Sequence, residues 1–125
     1  MSNTNTKRVL VVDDDRHVLD AIRAALESQG YEVLSAQDGQ EGLMRAERDA
    51  PDLIMLDVMM PRRSGLAVLE KLRSVKNAGP PIIVMTANDE QRHEAYATSQ
   101  GANFFLKKPF DMQHMLQAVE RLLKT

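Results

Sequence analysis

Hydrophobic residues are distributed along this chain in two alternating patterns. Short apolar runs rich in Val, Ile and Leu occupy residues 9–12, 53–56 and 82–85, with less regular ones at 31–35 and 104–106. Runs of this length, bounded by turn formers, predict strands, and the three uninterrupted ones suit burial on both faces at the centre of a sheet. Between them, Val18, Leu19, Ile22, Ala25 and Leu26 recur at three-to-four spacing. That spacing predicts a first helix, with Gly30 supplying the left-handed cap. Asp38 and Glu41 have capping-box spacing for a second helix running to Asp49, which Pro51 then ends.

A third helix is expected from a Ser64 cap through Leu66, Leu69 and Leu72, closing before Gly79-Pro80-Pro81. A fourth, over about 90–100, is mostly polar with Tyr96 as its only large hydrophobe, so thin packing and mobility are expected of it. The fifth, from Asp111, carries the dense stripe Met112, Met115, Leu116, Val119, Leu122 and Leu123 and should dock firmly. Strands alternating with helices predict an α/β fold, a parallel sheet covered by helices on both faces.

A length of 125 residues accommodates one such domain and no second. The expected division is a disordered segment at 1–7 followed by a single folded unit at 8–125. Sixteen basic against 18 acidic residues leave a net charge of −2, so no overall field draws the protein to nucleic acid or anionic lipid. Without cysteine there is neither a disulfide nor a thiolate metal site. The polar start, followed by only four apolar residues, is too short for a signal-peptide core or a membrane span. The expectation is a cytoplasmic protein with neither nucleic acid nor membrane as a direct partner.

The chemistry collects at the predicted strand ends, where open α/β sheets bind their ligands. Asp13, Asp14 and Asp15 end the first strand, Asp57 the third and Thr86 the fourth, and Lys108 follows the fifth. With the first and third strands as neighbours, Asp13, Asp14 and Asp57 converge, and two carboxylates 4 Å apart repel by about 4 kcal/mol at intermediate dielectric. A hard divalent cation relieves that repulsion, and Mg2+ takes one or two carboxylates while keeping a position for a phosphoryl oxygen. Any one strand-end Asp is explained as a helix cap, and Asp15 is assigned that task. The combination of residues is not explained by capping. His17, His93 and His114 lie on three separate helices and make no metal site, and the methionines serve as core fillers.

With those residues in view, the chain resembles the receiver domain of two-component response regulators. The resemblance rests on Val9-Leu10-Val11-Val12-Asp13-Asp14, on Leu56-Asp57-Val58-Met59-Met60-Pro61 with Gly65, on Val84-Met85-Thr86-Ala87, and on Gly101-Ala102 through Lys108-Pro109-Phe110. It implies a doubly wound, flavodoxin-like parallel sheet of order 2-1-3-4-5 with five helices. It further implies Asp57 as phosphoacceptor, Asp14 as a direct Mg2+ ligand, Asp13 acting mainly through metal-bound water, the Met59 carbonyl as a further ligand, and Lys108 on the phosphoryl group. Thr86 and Phe105 would be switch residues, reporting through the fourth helix, fifth strand and fifth helix.

The partners implied are a sensor histidine kinase or histidine phosphotransfer protein, an unknown downstream protein, and a second copy in a phosphorylation-dependent dimer. The resemblance also makes Lys108-Pro109 a candidate for a cis bond, and Lys107 a solvated neighbour. Ala87 leaves the phosphoryl path open, and Met59 and Asn88, two after the acceptor and two after the threonine, predict a persistent phosphoryl group. Two other readings compete. One is a small phosphatase with Asp13 as nucleophile and Asp15 as acid, opposed by His17 where Thr or Val is expected. The other is an interaction module that never accepts phosphate.

Overall fold

The computed structural model describes residues 6–58, 65–74, 79–86 and 101–124. Five strands, β1 (Arg8–Val12), β2 (Glu32–Ala36), β3 (Leu53–Asp57), β4 (Ile82–Thr86) and β5 (Phe104–Lys107), form one parallel sheet in the order β2-β1-β3-β4-β5. The helices among the described residues are α1 (Arg16–Ser28), α2 (Gly39–Asp49), α3 (Gly65–Ser74) and a C-terminal helix (Met112–Leu123). The expected helix over 90–100 lies outside the described residues, as do Met59, Arg62, Arg63, Ser64, Ala87, Asn88 and His93.

The period of two in the strands divides the core into two layers. Val9 and Val11 of β1, Leu53 and Met55 of β3, and Ile83 and Met85 of β4 point into one layer, completed by Leu19, Ile22 and Leu26 of α1 and Met115 and Val119 of the C-terminal helix. Leu10, Val12, Ile54, Leu56, Ile82 and Val84 point into the other, against Val68 and Leu69 of α3 and the half-buried Leu43 and Ala46 of α2. Every residue of β3 and β4 is buried. That is why those runs are apolar without interruption, polar only at their last residues, Asp57 and Thr86.

The helices begin where their caps predict. Asp15 Oδ1 accepts the N–H groups of His17 and Val18, at 2.9 and 3.4 Å. Asp38 Oδ1 accepts Glu41 N–H at 2.8 Å, while Glu41 Oε1 accepts that of Gln37 at 2.9 Å. Asp111 starts the C-terminal helix through Gln113 N–H at 2.8 Å. Gly30, at φ +89, takes the positive-φ position after α1. Gly42 lets α2 approach β1 closely, since a Cβ there would lie 2.9 Å from Val12 Cγ2.

Two details differ from the sequence expectation. β2 begins one residue late because Tyr31 N–H donates to Leu26 O and belongs to the end of α1, leaving Glu32 N–H as the first to join β1, through Lys7 O. Helix α2 closes on Ala50 in the left-handed conformation, φ 46 and ψ 62, where glycine is usual. Among the described residues no helix is long and apolar enough to cross a membrane.

Candidate functional site

Adjacent strands deliver the acidic residues to one place. β1 and β3 pair with Val12 opposite Leu56, so the next residues, Asp13 and Asp57, stand side by side at the carboxyl edge of the sheet. Asp13 is fixed from below, its N–H donating to Ala36 O at 3.0 Å, and its Oδ1 accepts Asp15 N–H at 2.9 Å. Asp57 is still inside the ladder, opposite Met85, and the following Val58 N–H donates to Met85 O. Asp13 and Asp57 are buried, at 0% and 3% exposure, while Asp14 is open to solvent.

One carboxylate oxygen from each of Asp13, Asp14 and Asp57 lies within 4.8 Å of the other two, the one group of metal-ligating side chains of this kind among the described residues. Two buried acids and one exposed acid, all hard oxygen donors, fit a hard cation such as Mg2+ that retains part of its water shell.

Opposite them stands Lys108. Its ammonium donates to Asp13 Oδ2 at 2.6 Å and to Asp57 Oδ2 at 3.2 Å. It arrives there through the turn after β5, where Lys108 N–H donates to Thr86 O at 2.7 Å. The Lys108-Pro109 peptide bond is cis. Burial raises the Asp13 carboxyl above its ordinary pKa, since the bonds from Lys108 and Asp15 N–H offset only part of the lost hydration. For Lys108 burial acts against the charged form, but the hydrogen bond to Asp13 and the charges of both aspartates prevail and raise the ammonium.

Thr86 is fully buried at the end of β4, one strand over from Asp57. Phe105 is half-buried and packs against the Leu10–Val84 layer of the core. Lys107 is exposed.

The whole sequence between residues 9 and 120 matches the response regulator receiver domain. The chain belongs to that family. This receiver domain is 44% identical over 117 residues to the response regulator MprA of Mycolicibacterium vanbaalenii, covering 94% of this chain and 50% of that protein. It is 38% identical over 118 residues to the alkaline phosphatase synthesis transcriptional regulatory protein PhoP of Bacillus subtilis, covering 94% and 49%. The chain therefore spans about half the length of the curated relatives it matches. Among solved structures, a CheY-like receiver domain protein from Methanospirillum hungatei superposes with a TM-score of 0.90 at 30% identity, over 95% of this chain and 94% of that one. The strand order 2-1-3-4-5 is the one the family resemblance implies, and the parallel α/β sheet is the one the hydrophobic pattern predicts.

The structure of this receiver domain brings Asp13, Asp14, Asp57 and Lys108 together, with Thr86 at the neighbouring strand end. One lining feature had no sequence signal. An apolar groove of about 400 Å³ runs from Lys108 and Pro109 along Phe110 and Met112 to Val18 and His17 of α1. Its walls come from the two ends of the chain, which no local pattern connects.

Proposed function

We propose that this receiver domain accepts a phosphoryl group on Asp57 from a phosphohistidine of a sensor kinase or phosphotransfer protein, and that the modified domain presents a changed surface to a downstream protein. The observation that carries the proposal is the buried pairing of Lys108 with both Asp13 and Asp57, at 2.6 and 3.2 Å. The cation that balances these buried carboxylates in the fold is also placed where an incoming anion requires positive charge.

An Asp57 carboxylate oxygen forms the new P–O bond as the P–N bond to the donor imidazole breaks. The imidazole leaves with the electron pair, and water later attacks phosphorus to return the carboxylate and inorganic phosphate. Asp13, Asp14, Asp57 and the Met59 carbonyl are the proposed ligands of Mg2+. The ion, when bound, supplies neutralising charge for the carboxylates and the transferring group. Lys108 contributes a second positive charge and fixes the direction of approach, since phosphoryl transfer depends chiefly on position and charge. Thr86 then donates its hydroxyl to the phosphoryl oxygens, and Phe105 follows it inward, altering the face formed by β5 and the C-terminal helix. We place this activity in the cytoplasm, with no nucleic acid or membrane contacted directly.

The competing phosphatase reading needs Asp15 as a general acid, yet its Oδ1 is engaged by two N–H groups of α1. The deciding experiment is intact mass after incubation with Mg2+ and acetyl phosphate. Wild type is expected to gain one phosphoryl group, while Asp57→Asn and a metal-free control gain none. Uptake that survives Asp57→Asn and disappears in Asp13→Asn would move the nucleophile to Asp13. No uptake by wild type would leave a phosphate-independent interaction module.

A further inference from the structure

β2 is an edge strand, with β1 on one side and no strand on the other among the described residues. The ladder fixes which of its groups face outward. Glu32 N–H donates to Lys7 O and Ala36 O accepts Asp13 N–H, so residues 32, 34 and 36 turn to β1. Val33 and Ser35 turn their backbone groups away from the sheet. An open row of this kind is a template for a further strand, and proteins keep such rows monomeric with charge or cover.

Here one side chain occupies that position. Arg23 leaves α1 and crosses the edge, donating from Nη1 to Val33 O at 3.3 Å and from Nη2 to Ser35 Oγ at 3.0 Å. Nη1 also lies 3.5 Å from Glu27 Oε2, which holds the guanidinium from the helix side. Beyond it the edge opens into a polar groove of about 310 Å³ lined by Arg16, Ser35, Gln37, Glu41 and Arg45, so an approaching strand meets charge along that stretch.

We propose that Arg23 is the guard of the β2 edge, and that the partner it turns away is the β2 strand of a second copy of this chain. The same outward pair, Val33 and Ser35, is available on both copies, so pairing about a two-fold axis is self-complementary. Arg23 competes for it by taking the Val33 carbonyl and covering Ser35. This surface lies on the opposite edge of the sheet from β5, so the proposal does not depend on the phosphorylation mechanism.

The test is Arg23→Ala in the full chain without phosphodonor, followed by light scattering over a concentration series and amide hydrogen exchange. Wild type is expected to stay monomeric. The variant is expected to reach twice the monomer mass as concentration rises, with the Val33 and Ser35 amides at least tenfold slower to exchange in the associated form. Arg23→Met retains the apolar stem without the fork and serves if the alanine variant does not fold. A folded variant that remains monomeric at every concentration overturns the proposal. So does association that leaves the Val33 and Ser35 amides unprotected, or wild type pairing through the same edge.

Discussion

Lys108 lies closer to Asp13, at 2.6 Å, than to Asp57, at 3.2 Å, although all three side chains share one buried cluster. The ammonium therefore sits closer to the acid that is not the proposed acceptor. Lys108→Met should lower the stability of the metal-free domain by about 3 kcal/mol, because two buried carboxylates lose their counter-charge. Mg2+ should restore part of that loss. Urea unfolding with and without Mg2+ measures both, and equal losses under the two conditions would contradict the shared role.

Mg2+ affinity should rise with pH. The unfolded chain releases the Asp13 proton near 3.8, whereas burial keeps it on the folded protein to higher pH. In the metal-free domain this group's contribution to stability is thus complete below 3.8 and is lost as pH rises through the folded value. A metal ion needs the carboxylate, so its binding strengthens over the same interval. Calorimetric titration at increasing pH should show binding that tightens as pH rises through the folded value. A flat profile would remove Asp13 from the ligand set.

Tyr31 gives a second pH test away from the site. Burial first, and the nearby Glu120 charge second, raise its hydroxyl above 10.0. The folded state holds that proton more tightly than the unfolded chain, so stability falls as pH rises above 10.0. Tyr31→Phe should lessen the alkaline fall, seen as a smaller drop in urea midpoint between about pH 9 and about pH 11.

Ala50→Gly should stabilise the domain by roughly 0.5 kcal/mol. Alanine pays about 1 kcal/mol to hold a left-handed backbone, which glycine avoids while losing some unfolded-state entropy advantage. Ala50 sits at φ 46 between α2 and Pro51, and thermal melting measures the gain. A lower melting temperature would mean that its methyl packing outweighs the backbone term.

Thr86→Ala should separate modification from response. Phosphoryl uptake, read by mass, should persist, whereas the amide shifts of β5 that accompany it in wild type should shrink. Unchanged shifts in the variant would remove Thr86 from the switch.

The fold was readable because its signals are redundant. The run Leu53–Asp57 is buried at every position, and α1 is marked three times, by its apolar stripe, by Asp15 and by Gly30. The site was readable because parallel strands must place their last residues at one edge, which brings Asp13 beside Asp57 once β1 and β3 are neighbours. Other features carried no local pattern. Arg23 reads as one more exposed helical arginine until β2 is laid beside α1, and nothing in Ala50-Pro51 requires a left-handed alanine. The unequal distances from Lys108 depend on where side chains settle inside a buried cluster, which spacing along the chain does not encode.

β1 and β3 are each paired on both flanks, and Val9–Val12 and Leu53–Leu56, which lead to Asp13 and Asp57, are buried. Opening either strand requires disrupting two ladders at once, so the carboxylates stand on the part of the molecule that opens last. A chemical event at that end finds little compliance beneath it. The outer strands, β2 beside β1 and β5 beyond β4, are each paired on one flank only among the described residues. The sheet is thus built like an anvil, its doubly paired strands under the carboxylates and its singly paired strands, β2 and β5, at the rim.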